Sequence, residues 1–204
     1  FFRFCFAPAQ AARLRETRTM SEKKNRFLLR NPEKAEHNQY WYSDSTIRNI
    51  IAEVEASGAT KAAFVSTPSL YFSLQSAALK QTSKVLDFDK KWEKDLGFVF
   101  YNFEEPTNLP ADLEHQFDYI VVDPPFITAE VWAQYATTVK FLLKPGGMVL
   151  CSTIAENASM MKEILGLEPI AFKPSIPNLV YQYLLYSNYP VTVLGSPNPE
   201  IPED

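Results

Sequence analysis

Cysteine and histidine are scarce in this chain, with two of each in 204 residues. Cys5 and Cys151 stand in unlike contexts and supply no disulfide framework, so Cys151 reads as a small core residue of a strand. His37 and His115 are isolated among charged neighbours and read as surface residues, which leaves no basis for a metal site. No apolar run approaches the roughly 20 residues that cross a bilayer. A basic stripe is missing as well. Lys and Arg number 20 against 24 Asp and Glu, the net charge is −4, and the basic clusters Lys23-Lys24 and Lys90-Lys91 are short. That balance argues against a nucleic acid as the partner. Apolar residues, by contrast, make up 46% of the chain and aromatic ones 14%, enough for one substantial core in a single domain.

One stretch carries chemistry. Phe117-Asp118-Tyr119-Ile120-Val121-Val122 is an apolar run that reads as a buried strand, and it stops at Asp123-Pro124-Pro125-Phe126. Two consecutive prolines fix φ and bring no N–H, so the carbonyls before and between them stay free as acceptors at the strand end. Asp123 adds a carboxylate acceptor, and Phe126 a ring face for a planar base or a cation. An N–H donor would be gripped from several sides, which is what methyl transfer to nitrogen requires, because the amine lone pair must be aimed at an electrophilic methyl group. Asp-Pro at a strand end is also common in plain turns, so the four residues alone decide nothing.

Their surroundings do. Glu130 to Leu143 has helical apolar spacing, Lys144-Pro145-Gly146-Gly147 stops it, and Met148-Val149-Leu150-Cys151 begins a new strand, which together predict a βαβ unit with a parallel sheet. Upstream, residues 61–66 and 84–89 read as two further strands around a helical stretch from Ser69 to Lys80, and 98–102 as another. Ligands in open α/β sheets bind beyond the carboxyl ends of the strands, so Ser66, Asp89, Asn102 and Asp123 are expected in one crevice. A helix from Asn157 to Leu165 closes near Gly166, and residues 168–174 and 181–189 read as a C-terminal antiparallel hairpin. The expected fold class is α/β: a Rossmann-like class I S-adenosylmethionine methyltransferase, seven-stranded and mostly parallel.

The chain resembles the elongation factor 1-alpha lysine methyltransferase 1 family, also described as N6-adenine methyltransferase-like. The resemblance rests on the order and spacing of Gln39-Tyr40-Trp41-Tyr42-Ser43, Val65 to Tyr71, Asp87-Phe88-Asp89-Lys90-Lys91-Trp92, Phe98 to Asn102, Asp123 to Phe126, and Asn178-Leu179. It implies that Asp123, Pro124, Pro125 and Phe126 form the acceptor site, and that Ser66, Thr67, Pro68 and Ser69 form the loop for S-adenosyl-L-methionine. That loop lacks the Gly-x-Gly pattern usual in methyltransferases. Asp89 becomes the candidate ribose acceptor, with Asp87 as substitute. Asn102 stands where the family carries an acid, and its amide can both accept from and donate to an adenine. Tyr40-Trp41-Tyr42 precedes a helix from Ser45 to Glu55 capped by Ser43 or Ser45. Composition makes the cluster a hydrophobic plug; the resemblance raises Trp41 or Tyr42 as pocket-lining residues.

Three functions compete. The first is a protein-lysine N-methyltransferase acting on elongation factor 1-alpha in the cytoplasm. The second is an N6-adenine methyltransferase on DNA or RNA, which the motif suits and the charge does not. The third is a non-catalytic binding module, suggested by the glycine-poor loop and Asn102 but without need of an intact Asp-Pro-Pro-Phe. Residues 1–38 are expected as a partly disordered extension, 39–190 as the methyltransferase domain and 191–204 as a disordered tail rich in proline and acids. Phe1 to Thr19 has four arginines against one acid, the character of a mitochondrial transit peptide; the favoured alternative takes Met20 as the start. Glu22 to Asn38 reads as a solvated helix or flexible lead-in.

Overall fold

The computed structural model describes residues 25–34 and 38–202. Expectations for residues 1–19, Cys5 and His37 lie outside these. Elements follow in chain order as α1 (Arg26–Arg30), α2 (Asp44–Ala56), β1 (Ala62–Val65), α3 (Pro68–Tyr71), α4 (Ala77–Thr82), β2 (Lys84–Asp87), β3 (Phe98–Phe100), β4 (Phe117–Val122), α5 (Ala129–Leu142), β5 (Leu143–Ile154), α6 (Ala158–Leu165), β6 (Glu168–Pro169) and β7 (Tyr183–Ser187). The strands form one sheet of order β3-β2-β1-β4-β5-β7-β6. The pairings from β3 to β5 are parallel, and β7 is antiparallel to both β5 and β6. The order reverses at β1 and β4, the switch point where a crevice opens.

Both faces of the sheet are covered, so β1 and the Tyr119–Val122 run of β4 are apolar on every residue rather than on alternate ones. In β4, Tyr119 and Val121 pack on the side of α2 with Ile47, Ile50, Ile51 and Val54. Ile120 and Val122 pack on the opposite side with Trp132, Tyr135, Val139 and Leu142 of α5. Cys151 is buried on that second side. Ser43 caps α2 by accepting from Thr46 N–H, and Gly166 at φ +68° closes α6, the left-handed conformation that a side chain would oppose.

Four expectations need correction. The helix read from Ser69 to Lys80 is two short helices, because the Glu55 carboxylate takes the N–H groups of Gln75 (2.8 Å) and Ser76 (2.7 Å) and interrupts the ladder. β5 starts at Leu143 rather than Met148, with its register broken between the Phe117–Leu143 and Tyr119–Met148 pairs where Gly146 turns at φ +75°. The C-terminal hairpin is shorter, since Pro169, Pro174 and Pro177 cannot donate to a ladder, and residues 171–182 loop out after Ile170 N–H donates to Leu185 O. The tail is ordered through residue 202. The buried carboxylate of Glu53 accepts from the N–H groups of Thr192 (3.1 Å), Val193 (2.6 Å) and Leu194 (3.1 Å), and Leu194 is fully buried.

The lead-in is likewise packed from residue 25 onward where described. Asn25 caps α1 and Phe27 packs edge-on against Trp41 with centroids 5.0 Å apart. No helix among the described residues is long and apolar enough to cross a membrane.

Candidate active site

The carboxyl ends of β1, β2, β3 and β4 open into a crevice of about 310 Å³, within the range of small-molecule sites. Ser66, Asp89, Asn102 and Asp123 all line it, as the strand-end argument expects, together with Pro124, Pro125, Phe126 and Trp41. Thr67, Pro68 and Ser69 do not. Pro68 starts α3 immediately after β1, and all three side chains are buried behind the crevice. Ser66 itself sits at φ +57°, so a non-glycine residue holds the left-handed turn that glycine usually supplies there. Its Oγ is 2.7 Å from the Tyr135 hydroxyl.

Asp123 stands at the tip of β4, its N–H donating to Val65 O (3.3 Å) and its Oδ1 accepting from Ser152 Oγ at 2.7 Å. Burial pushes its carboxyl up to about 6, although the hydroxyls of Ser152 and Tyr42 pull it down. No hydrogen bond among the described residues uses the carbonyls of Asp123 or Pro124, while Pro125 O accepts from the Asn38 amide. Asn157 braces the same loop through Ile127 O at 2.9 Å. Phe126 is 48% exposed, its ring open to the crevice and edge-on to Phe103.

At the β2 tip, Asp87 is buried and also raised to about 6, chiefly by burial and then by the charge of Asp89, against the Asp89 N–H and the lysines Lys91 and Lys34. Burial opposes ionisation of Asp89 too, but the Lys34 hydrogen bond (2.8 Å) and the N–H and charge of Lys91 outweigh it and hold its carboxyl below the usual range. Asp87, the last residue of β2 and two positions before Asp89, therefore keeps more of its acceptor capacity free than Asp89 does. Asn102 Oδ1 accepts from Glu104 N–H at 3.2 Å.

Trp41 combines both roles considered for it. It lines the crevice, is 7% exposed, and donates Nε1–H to Asn31 O at 2.9 Å. Tyr42 lies behind the crevice, with its hydroxyl 2.6 Å from Ser152 Oγ. Glu33 ties this arm down by accepting from Trp41 N–H (2.9 Å) and from Asn178 Nδ2 (2.8 Å). Sequence reasoning missed Asn38, Gln39, Tyr135, Tyr183 and Ser152. Ser152 and Thr153 were visible as hydroxyls ending an apolar strand, whereas Asn38 and Gln39 reach the crevice by an irregular path with no periodicity. No group of three or more His, Cys, Asp or Glu among the described residues is placed to hold a metal.

A sheet of this order, with one antiparallel strand next to last and an acceptor-lined crevice at the switch point, defines a class I methyltransferase fold. The chain belongs to the family described as probable N6-adenine methyltransferase, whose model matches residues 33–191. Similar curated proteins include EEF1A lysine methyltransferase 1 of Gallus gallus, 34% identical with 74% of this chain and 73% of that protein covered. The Danio rerio protein of the same name is 31% identical over 77% of this chain and 99% of its own length. Among solved structures, the branched-chain polyamine synthase of Thermus thermophilus matches in fold with a TM-score of 0.57 at 13% identity, covering 88% of this chain and 63% of that one.

Proposed function

We propose that this protein is an S-adenosylmethionine-dependent protein-lysine N-methyltransferase that modifies translation elongation factor 1-alpha in the cytoplasm. The observation that carries this reading is the state of Asp123: a raised, buried carboxyl whose modifying neighbours are hydroxyls, with no basic side chain among the described residues acting on it. Such a group is matched by an incoming cation. A lysine ammonium neutralises it, whereas the uncharged exocyclic amine of adenine offers only a hydrogen bond. Relatives named as EEF1A lysine methyltransferases support the choice of substrate.

The crevice fits the cofactor. Asp87 and Asp89 offer carboxylates to a vicinal diol, Phe88 is 57% exposed as a flat apolar surface beside them, and Gln39 Oε1 is a buried acceptor with no partner among the described residues. When bound, the cofactor supplies an electrophilic methyl group on sulfonium. Asp123, Pro124 and Phe126 then receive the lysine. Releasing a proton from a free lysine at pH 7 costs about 4.6 kcal/mol, from a pKa near 10.4 at about 1.36 kcal/mol per unit. Burial lowers that cost, and a proton passed from the lysine Nζ to Asp123 leaves a neutral pair rather than two buried charges.

Labelled cofactor incubated with elongation factor 1-alpha or with nucleic acid separates the readings. Label in a lysine of the protein is expected; label entering only DNA or RNA overturns the proposal. Asp87→Asn is expected to weaken cofactor binding about tenfold by calorimetry, the scale of one hydrogen bond to a charged group, with kcat at saturating cofactor little changed. Unaltered affinity would remove Asp87 from the cofactor site.

A further inference from the structure

Ser152 and Tyr42 lie outside the Asp-Pro-Pro-Phe motif, yet their hydroxyls form the hydrogen-bonded chain that ends on Asp123. Val122 pairs with Cys151 in the parallel β4–β5 ladder, so the next residues, Asp123 just past the end of β4 and Ser152 within β5, lie side by side. Ser152 Oγ lies 2.7 Å from Asp123 Oδ1, and the Tyr42 hydroxyl lies 2.6 Å from Ser152 Oγ. Ser152 is 1% exposed and Tyr42 is 3% exposed. An ionised carboxylate only accepts, so the one hydroxyl proton of Ser152 goes to Asp123 and the Tyr42 phenol must donate to Ser152. The chain of bonds therefore runs one way, from Tyr42 through Ser152 to Oδ1, and no hydrogen bond given among the described residues ends on Oδ2.

We propose that Tyr42 and Ser152 are positioning residues for the methyl transfer, a two-hydroxyl relay that occupies one oxygen of Asp123, turns the other to the crevice and favours its ionised form at neutral pH. This rests on the methyltransferase reading above. The remaining groups whose ionisation responds to Asp123 are the phenols of Tyr135 on α5 and Tyr183 on β7 and the thiol of Cys151 on β5, all acids that its charge pushes further up. None of them can stabilise a carboxylate by charge. The relay is thus the protein's own means of keeping Asp123 ionised before a cation arrives, and Tyr42 acquires a reason to be a tyrosine rather than a phenylalanine at a buried position.

The test is a titration of Asp123 by the 13C shift of its labelled carboxyl, assigned by the loss of that signal in Asp123→Asn, with steady-state kinetics alongside. In Ser152→Ala the midpoint is expected to rise by about one pH unit, with kcat/KM for the acceptor protein at pH 7 about tenfold lower and KM for the cofactor unchanged. Ser152→Thr keeps the hydroxyl and is expected to restore both. Tyr42→Phe, which alters no backbone contact, moves the midpoint the same way by less and decides the matter should Ser152→Ala fail to fold. A midpoint unmoved in these variants, or a threonine no better than alanine, overturns the relay. Failure of the methyltransferase reading shows separately, as absence of turnover in the unaltered protein with the titration intact.

Discussion

Asp123→Asn eliminates turnover while making the protein more stable at pH 7.5. The activity loss is expected at about a thousandfold, because an amide cannot take a proton from the amine or neutralise its charge. The gain in stability follows from linkage. Asp123 has its carboxyl raised by burial from an ordinary value near 3.8 to about 6. A raised acid favours the folded state while it is protonated, and that contribution is fully present below about 3.8 and lost as pH climbs through about 6. At pH 7.5 the unaltered protein carries the whole cost of the buried charge, and asparagine removes it while its amide oxygen still accepts from Ser152. Allowing for the partial exposure of the residue, the gain is about 1–2 kcal/mol, read as a higher melting midpoint. Asp87 titrates in the same interval and remains in the variant, so the difference between the two melting profiles from pH 4 to 7 isolates Asp123. A variant that melts lower than the unaltered protein at pH 7.5, or that keeps full turnover, contradicts the assignment.

Glu53→Ala is expected to produce the largest loss of stability among deletions of polar side chains in α2, about 2–3 kcal/mol. The Glu53 side chain is only 1% exposed and holds three successive backbone N–H groups, those of Thr192, Val193 and Leu194. Alanine leaves all three donors without their acceptor; the buried Leu194 N–H bears the largest share, about 1–3 kcal/mol for a donor that water cannot reach, and the partly buried Thr192 and Val193 N–H groups add less. Denaturant melts measure the loss, and hydrogen exchange should show residues 191–202 opening well before the sheet. Uniform protection of that segment in the variant would mean that Glu53 is not its anchor.

The segment held by Glu53 also shows where sequence reasoning stops. Its prolines and acids have the composition of a disordered tail, and the acceptor that orders it lies on a helix far earlier in the chain. Local features fared better. The β4 tip, the α5 helix and the reversal of sheet order could be read because apolar runs, helical spacing and strand-ending polar residues are all short-range signals. Ser66, Asp89, Asn102 and Asp123 met in one crevice for the same reason: each ends a strand, and parallel strands end on one side. Thr67 and Ser69 did not follow Ser66, since Pro68, two residues on, starts α3 and turns the chain inward. Asn38 and Gln39 were out of reach because their placement depends on Glu33 bridging Trp41 and Asn178, a contact that no spacing announces.

The position of β7 has a consequence for how the chain matures. The last in chain order of the seven strands of this sheet lies inside it, between β5 and β6, and pairs with β5 over Leu150 to Ile154. Until it arrives, a nascent chain presents β5 as an open apolar edge able to pair with other chains. Tyr183, the residue that opens β7, faces Asp123, so the pocket and the sheet are completed by the same late insertion. A chain cut short of residue 183 would therefore aggregate rather than persist as a folded but inactive protein.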